Sequence, residues 1–237
     1  MKLPAEFRRS RNPMPRVASL LASATEIVHA LGLRDQLLAI SHECDYPPDV
    51  LHLPRLSKPR FDPDGLSSAE VDRAVRAALE EHGSVYQIDE AALIQLDPDI
   101  ILTQAVCEVC AVPTHGVLDL VARHGCSAQV LSLDAHTVEE IFHTILQVGE
   151  ALGARDRAAA LVQSYRDRLQ HVRGAVADRP RPRVLAIEWL DPPFAPGHWV
   201  PEMVMLAGGE NMVAKPGVTP CNWTGSSSSI WTPTYWS

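Results

Sequence analysis

Apolar and polar positions alternate in blocks along the first 133 residues, and the blocks predict strands and helices in turn. An apolar run at 17–21 is followed by apolar residues at helical spacing, a glycine at Gly32 and a second apolar run at 37–40. Ser and Thr before the helical segment and glycine after it are typical of helix boundaries. The opening therefore predicts a β-α-β unit and the start of a parallel sheet.

A proline-rich stretch between residues 45 and 65 interrupts this pattern and predicts an irregular surface loop. Beyond it the alternation resumes. The predicted elements are a helix at 70–81, a short helix at 89–96, a buried strand at 100–103, a helix at 116–124 and a strand at 129–133. Sustained alternation predicts one doubly wound α/β lobe over 16–134.

The pattern changes after residue 134. Apolar residues recur at helical spacing through 135–178, which predicts a long connecting helix. Gly149 and Gly153 within it indicate either a break or a close packing contact. Prolines then end it, and the strand and short helix predicted within 182–217 indicate the start of a second α/β lobe. No apolar periodicity continues into 218–237, which we interpret as an aberrant tail on an incomplete second lobe.

Charge narrows the range of partners. The chain has a formal net charge of -8 and a pI near 5.6, so it lacks the basic surface that nucleic-acid binding requires. Its basic cluster lies in 1–15, predicted to be a disordered, solvated tail. No apolar run is long enough for a membrane span and no signal peptide is recognisable. Localisation is left open, with periplasmic or cell-surface export expected if an upstream start supplies a signal.

Two of the cysteines lie close enough in sequence to suggest redox or metal chemistry. Cys107 and Cys110 form a C-x-x-C pair, which suits redox chemistry, metal binding or simple apolar packing at a strand end. A thiol- or metal-dependent hydrolase is one alternative function. It is disfavoured because the chain has no nucleophile elbow, no His-Glu-x-x-His helix and no phosphate-binding glycine loop.

Several stretches resemble one known family. They are the Ser-Ala-Thr-Glu segment at 23–26, the segment 41–48 with its Asp-Tyr-Pro-Pro motif, the segment 86–103 ending in Leu-Asp-Pro-Asp-Ile-Ile-Leu-Thr, the segment 107–112, and the segment 188–211 with its Asp-Pro-Pro-Phe motif. Together they are similar to the cobalamin and iron-siderophore substrate-binding proteins of ABC importers, in particular to a cobalamin-binding branch.

The resemblance covers roughly residues 16–217. It implies an α/β fold of two doubly wound lobes joined by a single long helix, as in class III periplasmic binding proteins, with the second lobe incomplete here. It also implies a monomer without enzymatic activity that binds cobalamin or a related corrinoid between the lobes. An ABC permease would be its partner, and the importer would hydrolyse ATP.

The resemblance also indicates which residues contact the ligand. The expected ligand-binding residues are Tyr46, Tyr86, Gln104, Phe194 and Trp199. Aromatic rings presented on stiff segments suit stacking and area burial against a large flat ligand. The ordinary alternative for each ring is packing against its own loop or core.

A soft metal, or the cobalt of a corrinoid, would find imidazole and thiolate ligands in this chain. The candidate set is His42, Cys44, Cys107 and Cys110, with buried packing and loop hydrogen bonds as the alternative roles. The resemblance places Glu90 near the position where the family presents an acidic side chain to arginines of the permease. A ferric siderophore or a free metal ion is the alternative ligand, although few arginines fall in the quoted motifs.

Overall fold

The structure is a computed structural model that describes residues 14–106, 109, 111–213, 215–217 and 221–222. The tails predicted for 1–15 and 218–237 fall almost entirely outside these residues and stay predictions. Cys107 and Cys110 lie outside them as well.

The described residues form seven α-helices and eleven β-strands. The helices are α1 (Ala22–Ala30), α2 (Ser68–His82), α3 (Glu90–Leu96), α4 (Thr114–His124), α5 (Val138–Ala151), α6 (Arg155–Val176) and α7 (Val200–Leu206). The strands are β1 (Val17–Ser19), β2 (Leu37–Ala39), β3 (Ser57–Pro59), β4 (Tyr86–Ile88), β5 (Ile100–Thr103), β6 (Gln129–Ser132), β7 (Arg183–Val184), β8 (Trp189–Leu190), β9 (Pro193–Ala195), β10 (Glu210–Asn211) and β11 (Cys221–Asn222).

The chain divides into two compact units. Unit 1 comprises the chain up to Asp62 together with Val75–Asp134 and Phe142–Val162. Unit 2 comprises Pro63–Ala74, Ala135–Ile141 and the residues from Gln163 onward. The contiguous ranges expected from the sequence, 16–134 and 182–217, remain predictions of lobe boundaries.

Unit 1 is built on a parallel sheet with the strand order β2-β1-β5-β6. The order reverses direction between β1 and β5, because the chain first adds β2 on one side of β1 and later adds β5 and β6 on the other. Ligands of open α/β sheets commonly bind beyond the carboxyl ends of the strands at such a reversal. The topology therefore directs attention to the residues that follow these strands.

Successive residues of the central strands point to opposite faces of the sheet, and both sets are buried. Ala18 and Ile101 lie in one core cluster with Leu93 of α3 and with Val117 and Leu120 of α4. Burial on both faces explains the continuous apolar runs in the sequence. Each fully buried aliphatic side chain contributes about 1.5–3 kcal/mol of transfer free energy.

The proline-rich stretch is less irregular than the sequence predicts. Ser57–Pro59 forms β3, which pairs antiparallel with β4 and sets Pro59 opposite Tyr86. Proline lacks a backbone N–H and is tolerated here because a two-stranded pair leaves one side of each strand unbonded. The expectation that the prolines exclude regular structure throughout 45–65 is therefore wrong at these three residues, and also at Pro48–Val50, which form one turn of 3-10 helix.

The helical stretch expected over 135–178 is interrupted. Helix α5 ends at Ala151 and α6 begins at Arg155, with Gly153 between them at a φ of 70°. That left-handed conformation favours glycine and commonly ends helices. A side chain on Gly149 of α5 would overlap the Ala158 Cβ of α6, so the two helices pack closely inside unit 1.

Unit 2 has short strands. β7 pairs in parallel with β10, and β9 lies between β8 and β11 in an antiparallel arrangement. The strand predicted at 183–188 is reduced to two residues. Across the part of the chain that is described, none of the helices combines the length and the apolar character that a membrane span requires.

Candidate functional site

A groove of about 960 Å³ opens on unit 1. Its walls come from β3, β4, the segment after β2, the C-terminal end of α2, the start of α3, and α4. This volume falls within the range of small-molecule sites in proteins. The groove is therefore a candidate ligand site that lies entirely within one unit.

Polar side chains collect at the carboxyl ends of the parallel strands. His42 follows β2, Gln104 follows β5, and Asp134 follows β6. Asp134 Oδ1 accepts a hydrogen bond of 2.6 Å from the Ala105 amide, which links the ends of β5 and β6. Because parallel strands end at the same edge, residues distant in sequence meet where the topology predicts a site.

Two flat rings lie together in the groove wall. The His42 and Tyr86 rings have centroids 4.8 Å apart and are tilted by 48°. The His42 Nδ1 is 2.8 Å from the Ser57 Oγ, and the Tyr86 hydroxyl donates to the Val109 carbonyl at 2.8 Å. Both rings are thus anchored at one edge, which holds their planes in position.

The Nε2 atom of His42 has no hydrogen-bond partner among the described residues. Nε2 is buried and lies 3.0 Å from Glu43 Oε1, but the approach is outside hydrogen-bond geometry. Burial lowers the pKa of His42, and this effect outweighs the opposite effect of Glu43. Burial and the Glu43 charge both raise the pKa of Tyr86. At neutral pH the groove therefore presents a neutral imidazole and a neutral phenol.

Of the five predicted ligand-binding residues, Tyr86 alone belongs to this groove lining. Tyr46 and Gln104 belong to unit 1 but lie outside the lining. The Tyr46 side chain is 57% exposed. Gln104 is buried, and its Oε1 accepts a hydrogen bond of 2.8 Å from the Val106 amide, which satisfies it locally. Of the unit 1 residues predicted from the sequence, the groove thus brings together His42, Tyr86 and Glu90.

Phe194 and Trp199 belong to unit 2. Phe194 lies in β9, and the Trp199 ring lies 5.8 Å from that of His198 at the start of α7. His198 is buried, and its Nδ1 is 3.1 Å from the Nδ1 of His136, so that one nitrogen donates and the other accepts. Burial and the neighbouring His136 lower the pKa of His198. Unit 2 therefore has an aromatic and imidazole cluster of its own.

Cys44 sits in a buried polar cluster. Its Sγ is 3.2 Å from Thr25 Oγ1, which in turn donates to Ser19 Oγ at 2.8 Å. Burial raises the pKa of the Cys44 thiol, which favours the protonated form over the thiolate that binds metals. Within the described ranges no three His, Cys, Asp or Glu side chains form a metal-holding group. The set that includes Cys107 and Cys110 stays a prediction.

Glu90 begins α3 and is engaged within the chain. Its carboxylate accepts hydrogen bonds from Arg123 at 3.1 Å and from His124 at 3.0 Å. Both hydrogen bonds lower the pKa of Glu90, and the bond from His124 has the larger effect. The carboxylate is therefore ionised and sits between two basic groups on the rim of the groove.

The sequence reasoning missed the basic side of the groove. Arg55, Lys58, Arg60 and Arg123 line it, although the motifs quoted above contain few arginines. The available signal was the spacing of basic residues among the prolines at 54–60. This spacing could not be interpreted without the pairing of β3 with β4, which places the stretch along one wall of the groove.

The composition of the groove and the parallel sheet beneath it suit a small-molecule binding protein, and comparison with known proteins supports this. Residues 17–230 match the periplasmic binding protein family. The chain belongs to this family. The chain is 25% identical over 205 residues to the vitamin B12-binding protein of Vibrio cholerae serotype O1. The alignment covers 85% of this chain and 62% of the relative, so the chain spans about 62% of the length of the curated relatives it matches.

Solved structures agree on the fold. The periplasmic vitamin B12 binding protein of Vibrio cholerae has a TM-score of 0.64 at 24% identity, covering 90% of this chain and 71% of that one. The periplasmic heme binding protein of Vibrio cholerae has a TM-score of 0.62 at 18% identity, with the same coverages of 90% and 71%. At these identities the similarity establishes the fold, and it confirms the α/β class predicted from the sequence.

Proposed function

We propose that this chain is the substrate-binding component of an ABC importer and that its ligand is cobalamin or a related corrinoid. Binding, rather than catalysis, is then the activity of this chain. The observation that carries the proposal is the anchored pair of rings, His42 and Tyr86, in a groove of small-molecule size. The vitamin B12-binding relatives give the ligand class its support.

Tyr86 is suited to contact a flat ligand. Its hydroxyl is already bonded to the Val109 carbonyl, so the ring is held without needing the ligand. A preorganised ring loses little conformational freedom on binding, which favours affinity. In the proposal, Tyr46, Gln104, Phe194 and Trp199 are further ligand contacts.

His42 is suited to ligate cobalt. Its Nδ1 is held by Ser57, and its lowered pKa leaves the Nε2 lone pair free of a proton at neutral pH in one tautomer. Metal-ligating histidines commonly have their other ring nitrogen held in this way. Hydroxocobalamin offers an exchangeable axial position, whereas the cyanide of cyanocobalamin occupies it.

The direct test is to titrate the purified chain with both corrinoids, following tryptophan fluorescence and the corrinoid absorption spectrum. We expect saturable binding of both and a spectral shift with hydroxocobalamin alone. His42→Gln should abolish the shift. Absence of binding to either corrinoid would reject the ligand assignment, and binding without a shift would reject cobalt ligation by His42.

Matched variants at Tyr86 test the ring itself. Tyr86→Phe removes only the hydroxyl bond and should leave the corrinoid affinity within about twofold. Tyr86→Ala removes the ring and should weaken binding by about tenfold or more, since aromatic contacts add about 0.5–1.5 kcal/mol beyond the area they bury. Equal affinities for the two variants would show that the ring does not contact the ligand.

Heme or another ferric chelate is the second candidate ligand. It is favoured by the basic side of the groove, since carboxylate-bearing chelates carry negative charge at their periphery. Heme-binding proteins also share this fold. Competition between hemin and hydroxocobalamin for the chain distinguishes the candidates, because the preferred ligand displaces the other at a lower concentration.

Glu90 is the proposed contact to the permease. Its exposed carboxylate can exchange Arg123 and His124 for arginines of a partner at little cost, because surface ion pairs contribute about 0–1 kcal/mol. Glu90→Gln should reduce binding of the ligand-free chain to the detergent-solubilised permease, a measurement that does not depend on the groove that Glu90 also lines. Unchanged binding to the permease would contradict this role.

A further inference from the structure

Two histidine rings of unit 2 meet through the same ring nitrogen. His136 lies between β6 and α5, His198 directly precedes Trp199 and α7, and the two Nδ1 atoms are 3.1 Å apart. The ring centroids are 5.1 Å apart and the planes are tilted by 51°. A hydrogen bond between these nitrogens requires that one carries a proton and the other does not. A metal ion can replace this shared proton, because a neutral imidazole offers its Nδ1 lone pair once the proton moves to Nε2.

The separation of the two nitrogens fits joint coordination of one ion. An imidazole nitrogen binds Zn²⁺ at about 2.0–2.1 Å. For an ion at that distance from both Nδ1 atoms, the separation of 3.1 Å corresponds to an N–metal–N angle of about 98°. This angle lies between the values of tetragonal sites, about 90°, and tetrahedral sites, about 109°. A rotation of the rings is then sufficient to direct both lone pairs at one point.

The backbone holds His198 in an uncommon conformation. Its φ of 52° lies in the left-handed region, which residues other than glycine seldom adopt. Asp97, which shares this feature, ends α3, where a left-handed residue is usual. His198 instead precedes a helix, and its carbonyl accepts a hydrogen bond of 2.9 Å from the Gly217 amide. Conformations of this kind cluster at functional sites, so the placement of the His198 ring indicates a function.

Two carboxylates hold the segment that carries His136. Glu140 Oε2 accepts from the His136 amide at 2.6 Å. Glu202 Oε2 of α7 accepts from the Val138 amide at 2.8 Å, which joins α7 to the start of α5 next to the pair. Ligands that are held in place before binding lose less conformational freedom, and nearby negative charge favours a cation. The surroundings of the pair therefore favour a metal ion.

The pair is accessible and mainly neutral at pH 7. His136 is exposed, while His198 is 9% exposed. Burial and the neighbouring His136 lower the pKa of His198, and an unprotonated imidazole is the form that binds metals. As far as the structure describes the chain, no third His, Cys, Asp or Glu side chain completes a metal-holding group. Water or a small chelating molecule therefore fills the remaining coordination positions.

We propose that His136 and His198 bind one divalent transition-metal ion through their Nδ1 atoms, with Cu²⁺ bound most tightly. Imidazole suits copper, nickel and zinc, and the affinity of nitrogen sites for divalent metals is highest for Cu²⁺. The site belongs to unit 2 and shares no residue with the groove of unit 1. This inference goes beyond the proposed function and does not depend on the ligand of the groove. It also differs from the metal ligands expected from the sequence, which are His42, Cys44, Cys107 and Cys110.

The test is a titration of the full chain with Cu²⁺ in a glycine buffer, using Cys107→Ser/Cys110→Ser protein so that the paired thiols do not contribute. Glycine competes for weakly held Cu²⁺. We expect saturable binding of one equivalent, and electron spin echo envelope modulation should show the remote nitrogens of two imidazoles. Absence of saturable binding, or a spectrum without two imidazoles, would overturn the proposal.

Variants locate the ion. His136→Asn and His198→Asn should each weaken Cu²⁺ binding by more than about tenfold, since even the loss of a partner behind a metal ligand costs about 10- to 100-fold. His143→Asn, at an exposed position of α5, removes a histidine elsewhere and should leave the binding unchanged. Circular dichroism in EDTA checks the fold of each variant while the pair is free of metal. Because His136 is exposed, His136→Asn remains informative even if His198→Asn unfolds.

The outcomes separate this inference from its alternatives. Equal losses in His136→Asn and His143→Asn would indicate an adventitious ion on surface histidines and would overturn the site. Loss of Cu²⁺ binding in His42→Gln, with none in His136→Asn, would move the ion to the groove and would also overturn it. A chain that binds Cu²⁺ at the pair but neither corrinoid retains the metal site and loses the corrinoid proposal. A chain that binds a corrinoid but no Cu²⁺ gives the reverse.

Discussion

Units 1 and 2 differ in how much of their structure is buried. All four residues of β5 in unit 1 are buried, whereas β7 and β10 in unit 2 are only partly so. Nearly all of the fully buried aliphatic side chains belong to unit 1. Leu190 of unit 2, by contrast, is 73% exposed. Because apolar burial is the main favourable term in folding, we infer that stability is concentrated in unit 1.

The largest expected effect is a difference in the free energy of unfolding when the same substitution, leucine to alanine, is made in unit 1 and in unit 2. Leu102→Ala empties a fully buried position of β5 and should lower the free energy of unfolding by about 2–5 kcal/mol. Leu190→Ala alters an exposed position of β8 and should change it by no more than about 0.5 kcal/mol. Chemical denaturation followed by circular dichroism measures both. Similar losses would contradict the contrast between the units.

A smaller effect is expected where α5 meets α6. Gly149→Ala would place a methyl group against Ala158 and should destabilise the chain by about 1–3 kcal/mol, the usual cost of overpacking. Gly174→Ala is the matched control, because no atom lies near its Cβ position on α6. It should stabilise the helix by up to about 1 kcal/mol. The combination of Gly149→Ala with Ala158→Gly should recover part of the loss, and failure to do so would argue against the overlap.

The smallest expected effect is a pH dependence in unit 2. The pKa of His198 is lowered in the folded state. At a pH between this lowered pKa and the unfolded pKa of about 6.5, the unfolded chain therefore binds more protons than the folded chain. The contribution of neutral His198 is therefore complete above about pH 6.5 and decreases as the pH falls. His198→Asn tolerates the φ of 52° and should flatten this decrease.

The measurement is the free energy of unfolding at pH 7.5 and pH 5.5 for the wild type and the variant. Two carboxylates lie near His136 and His198. Glu140 accepts a hydrogen bond from the His136 backbone amide and Glu202 accepts one from that of Val138, rather than from the imidazoles. His143→Asn at an exposed position of α5 is the control. An identical pH slope in His198→Asn and wild type would contradict the role of His198.

The parallel sheet was predictable because its signals are local. Buried strands such as β5 appear as short apolar runs, and each is separated from the next by a helix with its own boundary residues. The interruption at Gly153 was signalled by the two glycines at 149 and 153, but the apolar spacing that continues on both sides did not decide between a break and a close packing contact. A single left-handed residue is enough to end one helix, and a sequence pattern averages over it.

The candidate site was predicted only in part. Tyr86 was named from family resemblance and His42 from the affinity of imidazole for metals, and the groove brings them together. Arg55, Lys58 and Arg60 were not named, because they line a wall only once Pro59 pairs with Tyr86 across 27 positions of sequence. No local pattern encodes such a pairing. Cys107 and Cys110 lie outside the described residues, so their role stays a prediction.

The close packing of α5 on α6 constrains how this protein can diverge. While position 158 carries alanine, position 149 has space for nothing larger than glycine. Neither residue can therefore be replaced by a larger one by itself. A larger residue at one helix has to be preceded by a smaller one at the other, or by a shift of the helices. Across homologous chains, positions 149 and 158 should therefore vary together, as a single heritable unit whose combined volume is conserved.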